Sequence, residues 1–401
     1  MYNCGQIIDL HELAKGEGRR MFRRRKLLET LLEDRGKHFV GIVGPRGAGK
    51  TILLRQMAAS DPDAVYLSAD TLDEGTDLFE VARTLTERYQ YKTLLLDEIH
   101  FLDHWQAGLK QIYDFLQIRV VFTSSLALAL HRASYDLARR VKLHSLDYFS
   151  FAEFLEFRYE KIIEPLGLDD LLAGNWKPVH LRAERFFAEY IEGGLLPFAL
   201  EEPDPLPLLG NTIETIILKD IPSLLSLKLE EISKLRKLIS FVGRSQVDGI
   251  NYSSLSANLG ITKYKAEQYA AAFESAFVLQ RVMPAGTNVL REPKILLVPP
   301  VRLLHQLANE AKGALREDFF ALAMRQAGID FQYLKGRRGE KTPDFLVKHA
   351  SMNLALEVGG KGKGRSQFKG VKADRKIILA TDVTATQDRW PLHLLGFLVS
   401  G

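Results

Sequence analysis

The chain has 401 residues, 46% of them hydrophobic and 26% charged, and a formal net charge of +4. That length predicts two or three domains, and the balance is that of an ordinary soluble globular protein rather than a disordered or fibrous one. A lone cysteine, Cys4, excludes an intrachain disulfide and a cysteine-based zinc site, and a pI near 8.9 permits a nucleic-acid partner without arguing for one. No apolar run reaches about 18 residues and no basic-then-apolar leader opens the chain, so a cytoplasmic protein with no membrane partner is expected.

Arg19, Arg20, Arg23, Arg24, Arg25 and Lys26 cluster ahead of Leu27, Leu28, Leu31 and Leu32, which recur at helical spacing. The pattern predicts an amphipathic helix opened by the basic cluster, which is either a phosphate contact or a solvated face. After Gly36 comes the first core strand, with Val40, Ile42 and Val43 as its short apolar run. Residues 44–51 then read Gly-Pro-Arg-Gly-Ala-Gly-Lys-Thr and satisfy G-x-x-x-x-G-K-[ST] without a mismatch.

That stretch predicts a nucleotide phosphate site. Gly44, Gly47 and Gly49 let the chain turn its backbone N–H groups inward around an anion, with Pro45, Arg46, Ala48 and Ile52 completing the binding stretch. Lys50 brings a positive charge for the β- and γ-phosphates, and Thr51 a hydroxyl for Mg²⁺. Leu53, Leu54 and Met57 continue as the apolar face of a helix whose N-terminus favours the anion.

A second strand is expected over residues 64–68 and a third over 93–98, the latter an apolar run ending in Asp97 and Glu98. In a phosphate-loop enzyme the first acid holds Mg²⁺ and the second orients the attacking water, so Asp97 is assigned the metal and Glu98 the catalytic base. His100 makes the local text Asp-Glu-Ile-His, a superficial likeness to DExH helicases. The compact spacing and the missing second motor domain set that likeness aside, and His100 is read as structural. A strand over residues 119–125 ends in Thr123, Ser124 and Ser125, which places Ser124 or Thr123 beside the phosphate loop as a γ-phosphate sensor. Arg139 and Arg140 are candidates for an arginine finger, with a surface salt bridge as the plain alternative. The order of elements predicts an α/β fold with a doubly wound parallel sheet over residues 1–150.

Residues 44–51, 94–98 and 123–125, followed by the Ser-Phe-Ala-Glu-Phe segment at 150–154, resemble an AAA+-type ATPase. The resemblance is to the prokaryotic, archaeal-ATPase-like group that carries a DUF4143 module or a related C-terminal part. Gly193, Gly194 and Pro197 are similar to the Gly-x-Pro loop of the related signal-transduction ATPases. The resemblance implies ATP as the nucleotide, Mg²⁺ as its companion and ATP hydrolysis as the activity. It also implies a helical lid over residues 151–228, in which Gly194 and Pro197 help enclose the nucleotide, and an oligomeric arrangement in some members.

A proline-broken connection at 201–207 leads into a helical stretch to about Lys219, and past the break at residues 220–222 the composition changes. Leu235, Leu238, Ile239 and Val242 make one helical face. A short helix after Asn251 stops at Gly260, Thr262 caps a longer one, and a strand follows at 279–283. This is a helix-turn-helix layout with a wing, expected over residues 229–287. Lys263, Lys265 and Gln268 would face outward, to read DNA or simply to pack against protein.

From residue 288 to 401, a helix containing Glu317, then strands bearing Asp344 and Glu357, resemble the PD-(D/E)xK nuclease core. That resemblance implies that Glu317, Asp344 and Glu357 gather a divalent metal for phosphodiester hydrolysis. Gly359 departs from the pattern, standing where the family has its lysine. Lys361 or Lys363 is the candidate replacement, in a glycine-rich basic loop that also suits a phosphate backbone, with Gln367 beyond it. Together these readings predict an ATP-hydrolysing AAA+-type switch or motor acting on or near DNA. The alternatives are an ATP-gated metal-dependent nuclease, and a nucleotide-dependent adaptor that binds a protein partner or a second copy of itself.

Overall fold

Five short strands form the first sheet: β1 (Phe39–Val43), β2 (Ala64–Ser68), β3 (Thr93–Asp97), β4 (Arg119–Ser124) and β5 (Val141–Ser145). All pair in parallel, in the order β2-β3-β4-β1-β5. The central strands are apolar on both faces because a parallel sheet is covered by helices above and below. The edge strand β5 is Val-Lys-Leu-His-Ser and largely accessible. Although β4 follows β3 in sequence, it inserts between β3 and β1. That reversal of strand order sets the carboxyl ends of β1, β3 and β4 side by side, where open α/β sheets bind ligands.

The computed structural model describes residues 4–34, 36–73, 75–125, 137, 139–245, 249–286, 292–335, 342–360, 362, 364–381 and 383–399. They divide into two compact units, Met1–Tyr148 and Phe149–Gly401. Among the described residues no helix is long and apolar enough to cross a membrane.

In the first unit the helices are α1 (Cys4–Arg20), α2 (Lys26–Glu33), α3 (Lys50–Ser60), α4 (Leu78–Glu87) and α5 (Trp105–Phe115). α1 was not foreseen, and the basic cluster spans its end and the connection to α2 rather than opening one helix. α1 covers the exposed edge of the sheet: the buried His11 accepts the β2 amide of Tyr66 at 3.1 Å, and burial pushes its imidazole below the ordinary range. Leu28 and Leu31 of α2 join Val40, Ile42, Leu53, Leu54 and Met57 in one core cluster.

The second unit opens with α6 (Phe151–Tyr159), which Ser150 and Glu153 cap reciprocally. Further on come α7 (Leu229–Arg244), α8 (Tyr252–Leu259) and α9 (Lys263–Ser275). Asn251 caps α8, Gly260 ends it in the left-handed region, and Thr262 caps α9. β6 (Leu279–Val282) then pairs antiparallel with β7 (Lys294–Leu297). After α10 (Ala308–Gln326) the chain lays down β8 (Phe331–Tyr333), β9 (Phe345–His349), β10 (Met352–Gly359), β11 (Arg375–Ala380) and β12 (Arg389–Pro391). These form a mixed sheet in the order β12-β11-β10-β9-β8.

The helical segment after α6 and the C-terminal α/β segment share a core. Phe187 packs edge-on against Phe319 of α10 at 4.7 Å, and Phe151 of α6 meets Phe397 near the C-terminus at 5.4 Å. Arg302 forms a buried two-bond pair with Asp318 (2.6 and 3.1 Å) and also donates to the Val242 carbonyl of α7. These contacts explain why residues 149–401 form one compact unit instead of three.

Candidate functional site

The phosphate loop leaves β1 at Gly44 and enters α3 at Lys50. A side chain at Gly44 would meet the Leu146 carbonyl at 2.0 Å, so only glycine lets the loop pass the end of β5. Gly49, at φ 91°, supplies the left-handed turn into the helix. Pro45 and Ala48 close a turn by a 3.2 Å backbone hydrogen bond, leaving Arg46 and Gly47 at the accessible tip. Thr51 and Ile52 occupy the half-buried first turn of α3. Lys50 is almost wholly buried, and its ammonium donates to the carbonyls of Gly44 (2.8 Å) and Pro45 (3.0 Å). A buried cation is thus already held by the loop that would receive phosphate.

Arg25, one member of the basic cluster, braces this loop. Its guanidinium donates to the carbonyls of Ala48 (3.3 Å), Asp147 (2.6 Å) and Tyr148 (3.5 Å). This arginine is not simply a solvated charge; it joins the loop to the chain leaving β5. The cluster's density drew attention to the segment, but nothing in its spacing singles out Arg25.

The acids lie at the tip of β3. Register pairs Ser68 with Asp97 across β2–β3, and Val43 with Ser124 across β1–β4. Asp97 is 2% exposed, and each of its oxygens accepts a hydroxyl: Tyr66 Oη at 2.9 Å and Thr123 Oγ1 at 2.5 Å. Burial and the Asp97 charge both push the Tyr66 phenol up, keeping it a donor. Thr123 Oγ1 also accepts the Glu98 amide at 2.8 Å. Both sides of its hydroxyl are therefore occupied by the acid pair, which leaves Ser124 rather than Thr123 as the sensor candidate.

Glu98 sits at φ 48°, ψ 51°, a left-handed conformation costly for a residue with a Cβ. Such outliers concentrate where a side chain must be aimed. Its carboxylate accepts the Ser125 amide at 3.2 Å and lies 3.3 Å from His100 Nδ1. His100 Nδ1 is in turn 3.4 Å from Ser124 Oγ. The histidine set aside in the sequence thus contacts both the assigned base and the sensor candidate.

The donor set fits a nucleotide carrying Mg²⁺. Such an ion is held by one or two protein oxygens together with substrate phosphates and waters, not by a cage of acids. Thr51 and Asp97 would supply those oxygens, since each Asp97 oxygen keeps a second lone pair beside its hydroxyl partner.

The structure places the remaining candidates as follows. Arg139 and Arg140 lie ahead of β5, at the edge of the sheet opposite the phosphate loop, where Arg140 O accepts the Phe39 amide that starts β1. Arg140 forms a two-pronged pair with Asp114 (3.0 and 3.1 Å from Nη2) and lies over Tyr113. A five-residue strand is about 17 Å long, so neither arginine serves as a finger for this protomer's own loop; the salt-bridge alternative describes Arg140. Gly194, in the second unit, carries a packing role: a Cβ there would meet the Phe154 ring at 2.5 Å. Pro197 starts a short 3₁₀ turn after the widened turn Tyr190–Gly194. In α9, Lys263 and Lys265 are ion-paired with Glu292 and Glu231, each at 2.6 Å.

The second acidic group is partly assembled. Asp344 precedes β9 and accepts the Val358 amide of β10 at 2.7 Å. Burial, and then the charges of Glu317 and Glu357, push its carboxyl up to about 7. Lys294 of β7, which the sequence did not suggest, is ion-paired with Glu317 at 2.6 Å. Among the described residues no three His, Cys, Asp or Glu side chains are arranged to hold a metal ion, so Glu317, Asp344 and Glu357 do not fit one as they stand. Lys361 and Lys363 lie outside the described residues.

Residues 36–155 match a family model described as an AAA domain, AAA_14, which supports a P-loop AAA-type ATPase domain in this stretch. Residues 184–299 match a domain of unknown function, DUF8612. The uncharacterized protein MJ1637 of Methanocaldococcus jannaschii is 29% identical over 417 residues, covering 93% of this chain and 87% of its own length. Among solved structures, C. elegans PCH-2 is 14% identical over 68% of this chain and 69% of its own, with a TM-score of 0.26. The S. cerevisiae Hsp104–ADP complex is 17% identical over 63% of this chain and 37% of its own, with a TM-score of 0.29. Those TM-scores are too low for either likeness to bear on the argument.

Proposed function

We propose that the protein is a Mg²⁺-dependent ATP-hydrolysing switch or motor whose chemistry is carried by the first unit. The observation that carries this reading is the meeting of three strand ends: the Lys50 loop after β1, Asp97–Glu98 after β3 and Ser124 at the tip of β4. The backbone of residues 44–51 and Lys50 bind the phosphates, and Mg²⁺ held by Thr51 and Asp97 would neutralise charge on them. Glu98 accepts a proton from the attacking water, and Ser124 donates to the terminal phosphate. ATP rather than GTP is the nucleotide by resemblance to AAA-type domains.

The second unit is the output. Two capped helices, α8 and α9, followed by the antiparallel pair β6–β7 support reading this segment as a winged helix, yet Lys263 and Lys265 are engaged within the protein. That favours a packing role for this segment over direct reading of bases. The raised Asp344 carboxyl beside Glu317 and Glu357 supports a second reading, a nuclease gated by the ATPase, against which stands the Lys294 pair on Glu317.

The test is ATP turnover by the full chain, with and without single- and double-stranded DNA, following the same DNA for cleavage. Lys50→Ala should lose nucleotide binding, whereas Glu98→Gln should bind ATP and not turn it over. Parent-rate hydrolysis by Glu98→Gln would overturn the assignment of the base. Stimulation by DNA without cleavage supports the switch; cleavage lost in Asp344→Ala supports the nuclease. No salt-dependent DNA binding at all assigns the output to a protein partner.

A further inference from the structure

We infer that His100 is a positioning residue that ties the sensor hydroxyl of Ser124 to the base Glu98. The inference deepens the ATPase reading and rests on it. One ring nitrogen, His100 Nδ1, lies 3.3 Å from Glu98 Oε2 and 3.4 Å from Ser124 Oγ. An ionised carboxylate only accepts hydrogen bonds, so the proton that serves Glu98 is the one on Nδ1, the tautomer assigned to the ring in this proposal. That single N–H then faces two acceptors, one on the catalytic carboxylate and one on the β4 tip. A change at either partner alters how strongly the ring holds the other.

The backbone fixes this arrangement. Glu98 in the left-handed region starts a 3₁₀ turn over Ile99–Phe101, which brings position 100 back beside position 98. The His100 side chain is 11% exposed and its ring lies against Phe101 at 4.6 Å, so it has little freedom to turn away. Ser124 is fully buried and in register with Val43, the residue before the phosphate loop. Occupancy of the loop is therefore felt first at Ser124, and His100 is the group that passes the change to Glu98. The Ser125 amide, 3.2 Å from the same Glu98 oxygen, is the other restraint on that carboxylate.

The experiment measures single-turnover ATP hydrolysis and binding of a fluorescent ATP analogue by the full chain and its variants. His100→Ala should lower kcat about tenfold, the scale of one hydrogen bond to a charged group, while KM and analogue affinity stay within about twofold. His100→Asn places an amide N–H near the position of Nδ1 and should restore most of kcat. In the His100→Ala background, Ser124→Ala should cost less than it does in the parent by the part that runs through the ring, leaving the loss of its own bond to the terminal phosphate. Parent kcat in His100→Ala, or a loss that His100→Asn does not rescue and that accompanies weaker nucleotide binding, overturns the inference. Glu98→Gln is run beside them. If it turns over at the parent rate, the base assignment itself is at fault; if it is inert while His100→Ala is unimpaired, only the role of His100 falls.

Discussion

Thr123→Val isolates the hydrogen bonds that hold the acid pair. Valine matches threonine in shape, so the change removes one hydroxyl without opening a cavity. That hydroxyl donates to Asp97 at 2.5 Å and accepts the Glu98 amide at 2.8 Å, at a position with no solvent exposure. Losing a bond to a charged group costs about 1.5–3 kcal/mol, and orphaning a buried amide about 1–3 kcal/mol. The two losses share one atom and do not simply add, so about 3 kcal/mol is expected. For a unit of roughly 150 residues that lowers Tm by about 6–12 °C. Turnover should fall more than tenfold, since the Glu98 backbone loses the anchor of its left-handed turn, and about 1.4 kcal/mol of misplacement already corresponds to a factor of ten. Thr123→Ser keeps the hydroxyl and should recover most of both. Differential scanning calorimetry and single-turnover hydrolysis measure the two effects. A Thr123→Val variant that melts within about 2 °C of the parent and hydrolyses ATP at the parent rate would refute the geometry proposed for the β3–β4 tips.

Two further outcomes concern the second unit. The Asp344 carboxyl, held up to about 7, lies above its value in the unfolded chain, so it favours the fold fully only below about pH 4 and loses that contribution as pH rises through about 7. Asp344→Asn should therefore raise Tm most above pH 7 and by progressively less towards pH 4; a gain that does not vary with pH across thermal melts would show that burial and the neighbouring acids do not hold this carboxyl up. The buried Arg302–Asp318 pair should show the asymmetry of such pairs in urea unfolding. Asp318→Ala strands a guanidinium and costs about 3–5 kcal/mol, whereas Arg302→Met with Asp318→Leu recovers much of it, and equal losses in the two would mean the ions contribute as attraction rather than as a desolvated liability.

The first unit was legible because its signals are local. Three apolar runs of strand length, each ending in small or acidic residues, and an unbroken phosphate-loop pattern determine both the strands and the end of the sheet where chemistry gathers. The place of the β4 tip beside the phosphate loop follows from reading the element order as a doubly wound sheet rather than from periodicity, and the pairing of β4 with β1 is what brings Ser124 level with Val43. The roles of Thr123, Tyr66 and His100 were less legible because each is set by a partner on another strand. No spacing rule links Tyr66 to Asp97 across 31 positions, or reveals that Glu98 is left-handed. α1 was missed because its apolar positions are sparse and it includes Gly5, Gly16 and Gly18, of which Gly18 is there to let α1 approach the Arg55 carbonyl of α3.

The same distinction explains the second unit. Its capping signals at Asn251, Gly260 and Thr262 are local and fall where the sequence placed them. Its cores are not local: Phe151 and Phe397 lie 246 positions apart and pack at 5.4 Å. The proline-broken connection at 201–207 and the change of pattern near 288 therefore mark changes of architecture without marking compact units. Lys294 shows the functional consequence. A lysine at the start of an apolar strand reads as a boundary charge, yet the fold sets it on Glu317, 23 residues away, where it neutralises an acid that the sequence assigned to a metal. The charge that Glu317 would offer a cation is thus already met by a residue outside the motif, and no reading of residues 317–357 alone could have found it.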